Sequence, residues 1–401
     1  MKNKLSTGLF SLLLVSAASA QSGLYYVGSD AQESIPLKWV VGASLIYDDN
    51  VAPGSGVEDS SMAVNPYVGV SFVTITPQTT WDVYARIGLI YYFDAPDSID
   101  DTGSNSRIGV NLTHRFSERL RFSSRSFVAY ELEPEYSYGV ATTRVLGEYF
   151  FFHTDNSIGY RWSERLATYT GIRLSGTDYS DVANNDRVTW ELYNQFRYQM
   201  SPQTVLTAEY RYADTMGDGF ASDSTDQYLL LGVEHRFSPN TIGIVRAGAQ
   251  FRDVDGGDKH TSPYLEAALN SQVNSQFRVG AFARYGIESY DTVIGLVEFE
   301  DRRTLRIGVS GDYALSPMFS IFGGIDYIAT DYQEGRDVMT NASINDDASE
   351  DLINAYIGLS VKFNDFLTGT ASYNYTDSSS SDIPGRDYDR SRISIGLSAE
   401  F

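Results

Sequence analysis

The stretch that decides the fold is residues 81–93, WDVYARIGLIYYF. Every second residue from Trp81 to Phe93 is apolar, whereas the residues between them include Asp82 and Arg86. Side chains of a β-strand point alternately to two faces, so this period of two predicts a strand with one apolar face.

The same alternation recurs along the chain and predicts eighteen strands, which makes the protein all-β. The predicted strands cover residues 37–48, 62–75, 81–93, 105–116, 120–132, 146–162, 166–176, 187–200, 204–213, 227–237, 241–252, 262–271, 277–288, 303–315, 318–330, 351–363, 366–376 and 390–401. The sixth segment does not keep one parity, and a bulge or an extension of the strand would explain this.

The connections between these strands fall into two alternating sets. Eight are very short, such as SER at 117–119 and SPQ at 201–203, and nine are long and rich in Asp, Gly and Ser, such as DAPDSIDDTGS at 94–104. Short periplasmic turns and long outer loops are the layout of bacterial outer-membrane barrels. We therefore predict a transmembrane antiparallel β-barrel over residues 37–401, of about eighteen strands, with both termini periplasmic.

Aromatic residues support a membrane barrel over a secreted propeller or sandwich, the alternative fold. One band precedes the short turns, and a second lies about eight to ten residues farther along the strands, as at Tyr91 and Tyr285. Such bands mark the two interfaces of a bilayer, which a propeller or sandwich does not need. The first band consists of Phe116, Trp162, Phe237, Tyr313 and Phe363.

The N-terminus has the pattern of a secretory signal peptide. Lys2 and Lys4 precede a short apolar stretch at 5–15, and Ala18-Ser19-Ala20 provides small residues for cleavage. We predict that residues 1–20 are removed and that 21–36 form a periplasmic segment or a plug.

Composition excludes several kinds of function. The chain has no cysteine, which excludes a thiolate site. Its net charge of −22 argues against a nucleic-acid partner, because phosphate binding needs a basic surface. Its four histidines show no spacing with Ser or Asp that indicates catalysis, so we expect no enzyme and no cofactor. The long acidic loops do not match a known calcium-loop pattern, and we predict no metal site; we expect them to face lipopolysaccharide.

The end of the chain predicts assembly by the outer-membrane route. SRISIGLSAEF places Ile393, Ile395, Leu397 and Phe401 on one face, and this pattern resembles the C-terminal signal read by the barrel-assembly machinery. Early in the barrel, PLKWVVGASLIYDDNV at 36–51 resembles the start of the β-barrel porin 2 family. The resemblance implies an outer-membrane location in a Gram-negative envelope, and it leaves a role in exopolysaccharide export open.

The inward face of the predicted barrel is rich in arginine, since 25 of the 30 basic residues are Arg. The guanidinium groups on this face either pair with acids of neighbouring strands, in ladders along the barrel wall, or give the pore a weak preference for anions. We therefore predict a porin for passive diffusion of small hydrophilic solutes or saccharides; the alternative is a barrel for polysaccharide export or surface assembly, which inward aromatics would favour. The predicted pore-lining residues are Arg86, Arg107, Arg121, Arg125, Arg173, Arg197, Arg211, Arg246, Arg278, Arg284, Arg306, Glu191, Glu209, Glu234 and Asp312.

Overall fold

A computed structural model describes the chain over residues 34–53, 59–96, 100–132, 148–179, 186–218, 221–289, 293–294, 296–340, 342–344, 348–381 and 386–401. The predicted signal peptide at 1–20 and most of the segment at 21–36 lie outside these residues. In the part of the chain so described, no helix is long and apolar enough to cross a membrane.

Eighteen long strands and two strands of two residues each, β14 and β17, make up the described fold. They are β1 (Ile35–Asp48), β2 (Ser61–Ile75), β3 (Thr79–Tyr92), β4 (Thr102–Arg115), β5 (Leu120–Glu131), β6 (Tyr149–Arg161), β7 (Leu166–Tyr179), β8 (Arg187–Ser201), β9 (Thr204–Gly217), β10 (Ser224–Ser238), β11 (Thr241–Val254), β12 (Lys259–Gln272), β13 (Phe277–Ile287), β14 (Val293–Ile294), β15 (Val297–Ala314), β16 (Phe319–Asp337), β17 (Ser343–Ile344), β18 (Ala348–Lys362), β19 (Leu367–Ser381) and β20 (Tyr388–Glu400).

The long strands form one closed ring. Each pairs antiparallel with its neighbours in sequence, and β1 pairs with β20 from Val40–Glu400 to Asp48–Arg392. The predicted eighteen-strand antiparallel barrel is confirmed. Closure pairs each of the described long strands on both sides across the central part of the barrel, as a bilayer core requires.

The seam between β1 and β20 is fastened at both ends. At the short-turn end, the Trp39 amide donates to the Phe401 carbonyl (3.0 Å) and the Phe401 amide donates to the Trp39 carbonyl (2.8 Å). At the other end, Asp48 is fully buried and accepts a 2.9 Å hydrogen bond from Arg390 Nε. The Asn50 side-chain amide donates to the Asp389 carbonyl (2.9 Å). The YDDN element thus fastens the first strand to the last.

Alternate residues face opposite sides of the barrel wall, as the sequence pattern predicts. On β3, Leu89 is 58% exposed and faces outward, whereas its neighbours Ile90 and Tyr92 are buried. The aromatics before the short turns, including Phe116 and Phe237, are exposed on the outward face. The outer surface is therefore apolar and the inner surface carries the polar groups.

The sixth strand corrects the expectation of a bulge. Residues of β6 pair without a register shift with both β5 and β7. Its parity is hard to read because the outward face carries polar groups that bond each other: Ser124 Oγ donates to Asn156 Oδ1 (2.7 Å), and Asn156 Nδ2 donates to Thr154 Oγ1 (2.8 Å). Polar side chains that satisfy one another are tolerated on a surface that lacks water.

The strands extend farther at the long-connection end than the sequence predicts. β15 begins at Val297 instead of 303, and β16 ends at Asp337 instead of 330. The connection between β11 and β12 shrinks to residues 255–258. Polar strand pairs that continue into solvent lack the apolar alternation that marks the membrane-spanning part.

Inward aromatic rings lie across glycines of adjacent strands. A Cβ atom added at Gly109 would lie 2.2 Å from the Tyr84 ring, and one at Gly358 would lie 2.2 Å from the Phe322 ring. The same arrangement joins Gly308 to Phe282. These rings pack flat against the barrel wall, so they serve the wall as packing groups.

Candidate channel wall and basic cavity

A buried ionic cluster occupies the inner face of β9, β11 and β12. Arg211 makes a two-pronged contact with Glu266, with distances of 2.8 and 3.1 Å, and its Nε bonds Glu209. Arg246 lies 3.2 Å from Glu266 and 3.3 Å from Glu209. All four side chains are at most 3% exposed. Because burial of charge is costly unless it is paired, the mutual contacts are what make this cluster tolerable.

A second buried cluster lies on β6, β7 and β8. Arg173 Nε donates to Asp155 (2.7 Å), and its NH1 bonds Glu191. Tyr193 Oη donates to the other oxygen of Asp155 (2.8 Å), and the Arg173 guanidinium lies 4.3 Å from the centre of the Tyr193 ring. Asp155 is therefore satisfied on both oxygens.

A third cluster surrounds Glu288, just beyond the end of β13. Arg306 donates to both of its oxygens at 2.8 Å, and Arg284 bonds one of them. Arg302 lies 3.8 Å away. One carboxylate thus faces three guanidinium groups on a single stretch of wall.

The remaining predicted pore-lining residues also have neighbours of complementary chemistry. Arg107 pairs with Glu131 (2.9 Å), and Arg197 pairs with Glu234 (2.8 Å). Arg125 donates a hydrogen bond to Asn111 (3.2 Å), and the Arg86 guanidinium lies 4.0 Å from the centre of the Tyr67 ring. Arg278 is opposite Asp312 in the register of β13 and β15. Cross-strand pairing of opposite charges stabilises a sheet. The inward arginines therefore belong largely to wall ladders, the first of the two roles considered from the sequence.

A cavity of about 580 Å³ opens at the short-turn end, between the ends of β4 and β9. The guanidinium groups of Arg121 and Arg197 lie 5.2 and 5.6 Å from the centre of the Tyr169 ring in its wall. Only two acids, Glu118 and Glu164, line the cavity, so it carries an excess of positive charge. Its arginines are Arg115, Arg119, Arg121, Arg161, Arg165 and Arg197.

Four of those arginines were not among the predicted site residues. Arg115, Arg119, Arg161 and Arg165 belong to the repeated turn segments HRFSERL and YRWSERL. The repeated turn sequence could have predicted this cavity, because two similar turns that lie side by side place their arginines around the same opening. The predicted acids also omit Asp155, which lies on the strand of unclear parity.

The histidines of the wall have structural partners. His114 bonds Thr79 (2.7 Å) and stacks edge-on against Phe116, and His235 does the same with Thr204 (2.9 Å) and Phe237. His260 lies outside the predicted strand at 262–271, but in the structure it is the second residue of β12 and is buried.

Comparison with known families assigns this wall to a group of membrane channels. The model of the outer membrane beta-barrel porin family MtrB/PioB matches residues 153–391, which is more than half of the chain. The chain belongs to the MtrB/PioB family of outer-membrane β-barrel porins. The expectation of an outer-membrane porin is confirmed, and the family and fold point to a channel in place of an enzyme. The matched region does not include the YDDN element.

Several solved structures of low sequence identity align with most of this porin. OccAB4 of Acinetobacter baumannii is 12% identical, with a TM-score of 0.42 over 92% of this chain and 99% of that one. OpdK of Pseudomonas aeruginosa, crystallised with vanillate, is 11% identical, with a TM-score of 0.46 over 91% and 99%. OccK2 (OpdF) of Pseudomonas aeruginosa, in complex with glucuronate, is 10% identical, with a TM-score of 0.44 over 91% and 98%. Comparison with curated proteins gives no match.

Proposed function

We propose that this porin is a passive channel for small hydrophilic solutes, and that the fifteen charged residues predicted from the sequence line its interior. A closed barrel of this strand number encloses space beyond what wall side chains fill. The inner face supports the proposal because it carries paired, fixed charges, whereas the outer face is apolar.

The basic cavity is the single observation that carries the solute preference. Buried pairs such as Arg211–Glu266 hold equal charges of opposite sign close together, so their fields largely cancel for a passing ion. The arginines of the cavity outnumber its acids, and Arg115 and Arg161 are exposed at strand ends. We propose that the cavity attracts anionic solutes and gives the channel weak anion preference.

Planar-bilayer recording tests both parts of the proposal. A steady single-channel conductance is expected for the purified porin, whereas persistent silence would contradict passive diffusion and favour an export or scaffold role. In a salt gradient, Arg115→Gln/Arg161→Gln should move the reversal potential towards cations. The shift should shrink at high salt, because the screening length falls from about 10 Å at about 0.1 M to about 3 Å at about 1 M.

A matched control separates the cavity from charge in general. Arg236→Gln/Lys362→Gln removes two positive charges at short-turn ends outside the cavity. We expect a smaller shift from this control. Equal shifts in both variants would show that the cavity has no special role.

We further propose that the barrel-assembly machinery inserts this porin, with Phe401 as the insertion signal, and that the acidic long connections contact lipopolysaccharide through divalent cations. The apolar outward face of β20 supports the first proposal. We also propose that the short turns lie on the periplasmic side of the membrane, which would place both termini in the periplasm.

A further inference from the structure

A histidine and three carboxylates meet at the long-connection end of the barrel, outside the channel wall described above. β13 ends at Ile287, so the start of β12 lies beside the extensions of β15 and β16 with no long strand between them. His260 of β12 therefore meets Glu300 and Asp301 of β15 and Glu334 of β16.

The distances within this group suit a shared ion better than hydrogen bonds. His260 Nε2 lies 3.8 Å from Glu300 Oε2 and 3.5 Å from Glu334 Oε2. Two ligand atoms on a tetrahedral zinc ion are about 3.4 Å apart when each bond is about 2.1 Å. The His260 side chain is only 7% exposed, and its Nε2 has no hydrogen-bond partner.

The backbone at Glu334 is strained in a way that holds its carboxylate in the group. Among the described residues, Glu334 is the one non-glycine position with positive φ, at 58°. The flanking pairs Phe299–Gly335 and Asp301–Gln333 place Glu300 opposite Glu334, and like charges in that position repel. Arg336 offsets part of the charge of Glu300, and a cation between the two carboxylates would offset the rest of the repulsion.

Neighbouring residues hold the carboxylates of this group in place. Arg336 bonds Glu300 Oε1, and the Asp258 amide donates to Glu300 Oε2 (2.9 Å), which can still accept a metal. Asp301 Oδ2 pairs with Arg303 (2.6 Å) and lies 3.7 Å from His260 Nδ1, on the far side of the ring from Nε2. Carboxylates in that position orient metal-bound histidines and increase their basicity.

We propose that His260 Nε2, Glu300 and Glu334 form a binding site for a divalent transition-metal ion of the Zn²⁺ type. Imidazole together with carboxylates favours such ions over Ca²⁺ and Mg²⁺, which prefer oxygen ligands alone. Asp301 is the positioning residue. Glu334 is half exposed, so the site is open to ions from the solvent. The ion would join β12, β15 and β16 at the long-connection end, beyond the last residue of β13.

Metal titration of the full chain in detergent tests the site. After removal of metals by a chelator, the porin should bind one equivalent of Zn²⁺ by calorimetry, and bound Co²⁺ should give a visible d–d absorption band. His260→Ala should lose both signals, and Asp301→Asn should bind Zn²⁺ about 10- to 100-fold more weakly. Excess Ca²⁺ should not displace Co²⁺; displacement by Ca²⁺ would overturn the assignment to a transition metal.

His235→Ala is the matched control, because it removes one histidine at the opposite end of the barrel. It should bind Zn²⁺ as the wild type does. Equal binding by the wild type and His260→Ala would overturn the proposal, as would the absence of binding by the wild type. Heat-modifiable migration in gels confirms that each variant is folded, and no measurement depends on conductance, so the channel proposal is tested separately.

Discussion

At the scale of single residues, Glu266 is the acid on which the buried ionic cluster of β9, β11 and β12, here called the central cluster, depends. It contacts both Arg211 and Arg246 and also accepts a hydrogen bond from Tyr264 (2.5 Å). Removal of its charge would leave two buried guanidinium groups with Glu209 as the remaining carboxylate near them. Uncompensated buried charge is strongly destabilising.

We therefore expect Glu266→Gln to lower the free energy of unfolding by about 3–5 kcal/mol. Urea titration followed by tryptophan fluorescence or by gel migration measures the change. Asp365→Asn is the control, because Asp365 is fully exposed and lies 3.9 Å from Lys362. If both variants unfold at the same urea concentration, the central cluster contributes nothing to stability.

The sequence predicted which charges share one face of each strand but not how these charges pair. Period-two parity placed Arg211, Arg246 and Glu209 on the inward face, and the structure has them buried there. Their contacts depend on the register between β9, β11 and β12, which the sequence of one strand does not contain. The group of His260, Glu300 and Glu334 was missed for the same reason, since its members are far apart in the chain.

At the scale of strands, the pairing of a glycine with a ring is the recurrent unit of the wall. Gly308 and Phe282 are opposite each other on β15 and β13. A Cβ atom at Gly308 would lie 2.2 Å from the Phe282 ring and 2.4 Å from Asp326 Oδ1. An added methyl group must therefore drive the ring off the wall.

We expect Gly308→Ala to destabilise the barrel by about 1–3 kcal/mol, the usual cost of overpacking. The midpoint of thermal conversion between folded and unfolded gel bands is a direct measure. Gly280→Ala provides the comparison, because the nearest atom to its added Cβ would be 3.6 Å away, an ordinary van der Waals contact. An equal loss of stability at both glycines would mean that the ring contact is unimportant.

Strands with an apolar outward face were predictable over the part with apolar alternation but not over their extensions at the long-connection end, and β6 shows a second limit. Its outward Thr154 and Asn156 are polar, and its inward Phe151 is apolar, so the alternation that marks other strands is reversed in part. Hydrogen bonds to Ser124 and Ser126 on β5 make this possible. Such bonds depend on the neighbouring strand and leave no mark in the pattern of β6 itself.

At the scale of the whole molecule, Phe401 has two features that can be removed separately. Its backbone exchanges two hydrogen bonds with Trp39 across the seam, and its side chain is 71% exposed on the outward face. Deletion of Phe401 removes both the backbone bonds and the ring. Phe401→Ala removes the ring alone.

We expect deletion of Phe401 to reduce insertion into the outer membrane while secretion to the periplasm continues. If the assembly machinery recognises the ring, Phe401→Ala should reduce insertion as much as the deletion does. Fractionation of envelopes with detection of the folded band measures both variants. Normal levels of the deletion variant would contradict a role of Phe401 in assembly.

Because β1 pairs with β20, the ring of strands has no fixed first or last member in space. The first and last strands are hydrogen-bonded neighbours, so a short peptide could join the start of β1 to the end of β20. The chain could then be cut in the short turn at residues 239–240. The permuted chain would then end in β10, whose outward residues Leu229, Leu231, Val233 and Phe237 repeat the apolar pattern of β20. Each hairpin of this ring is in that sense a potential last hairpin, and the place where the polypeptide starts is a property of its genetic order and not of its architecture.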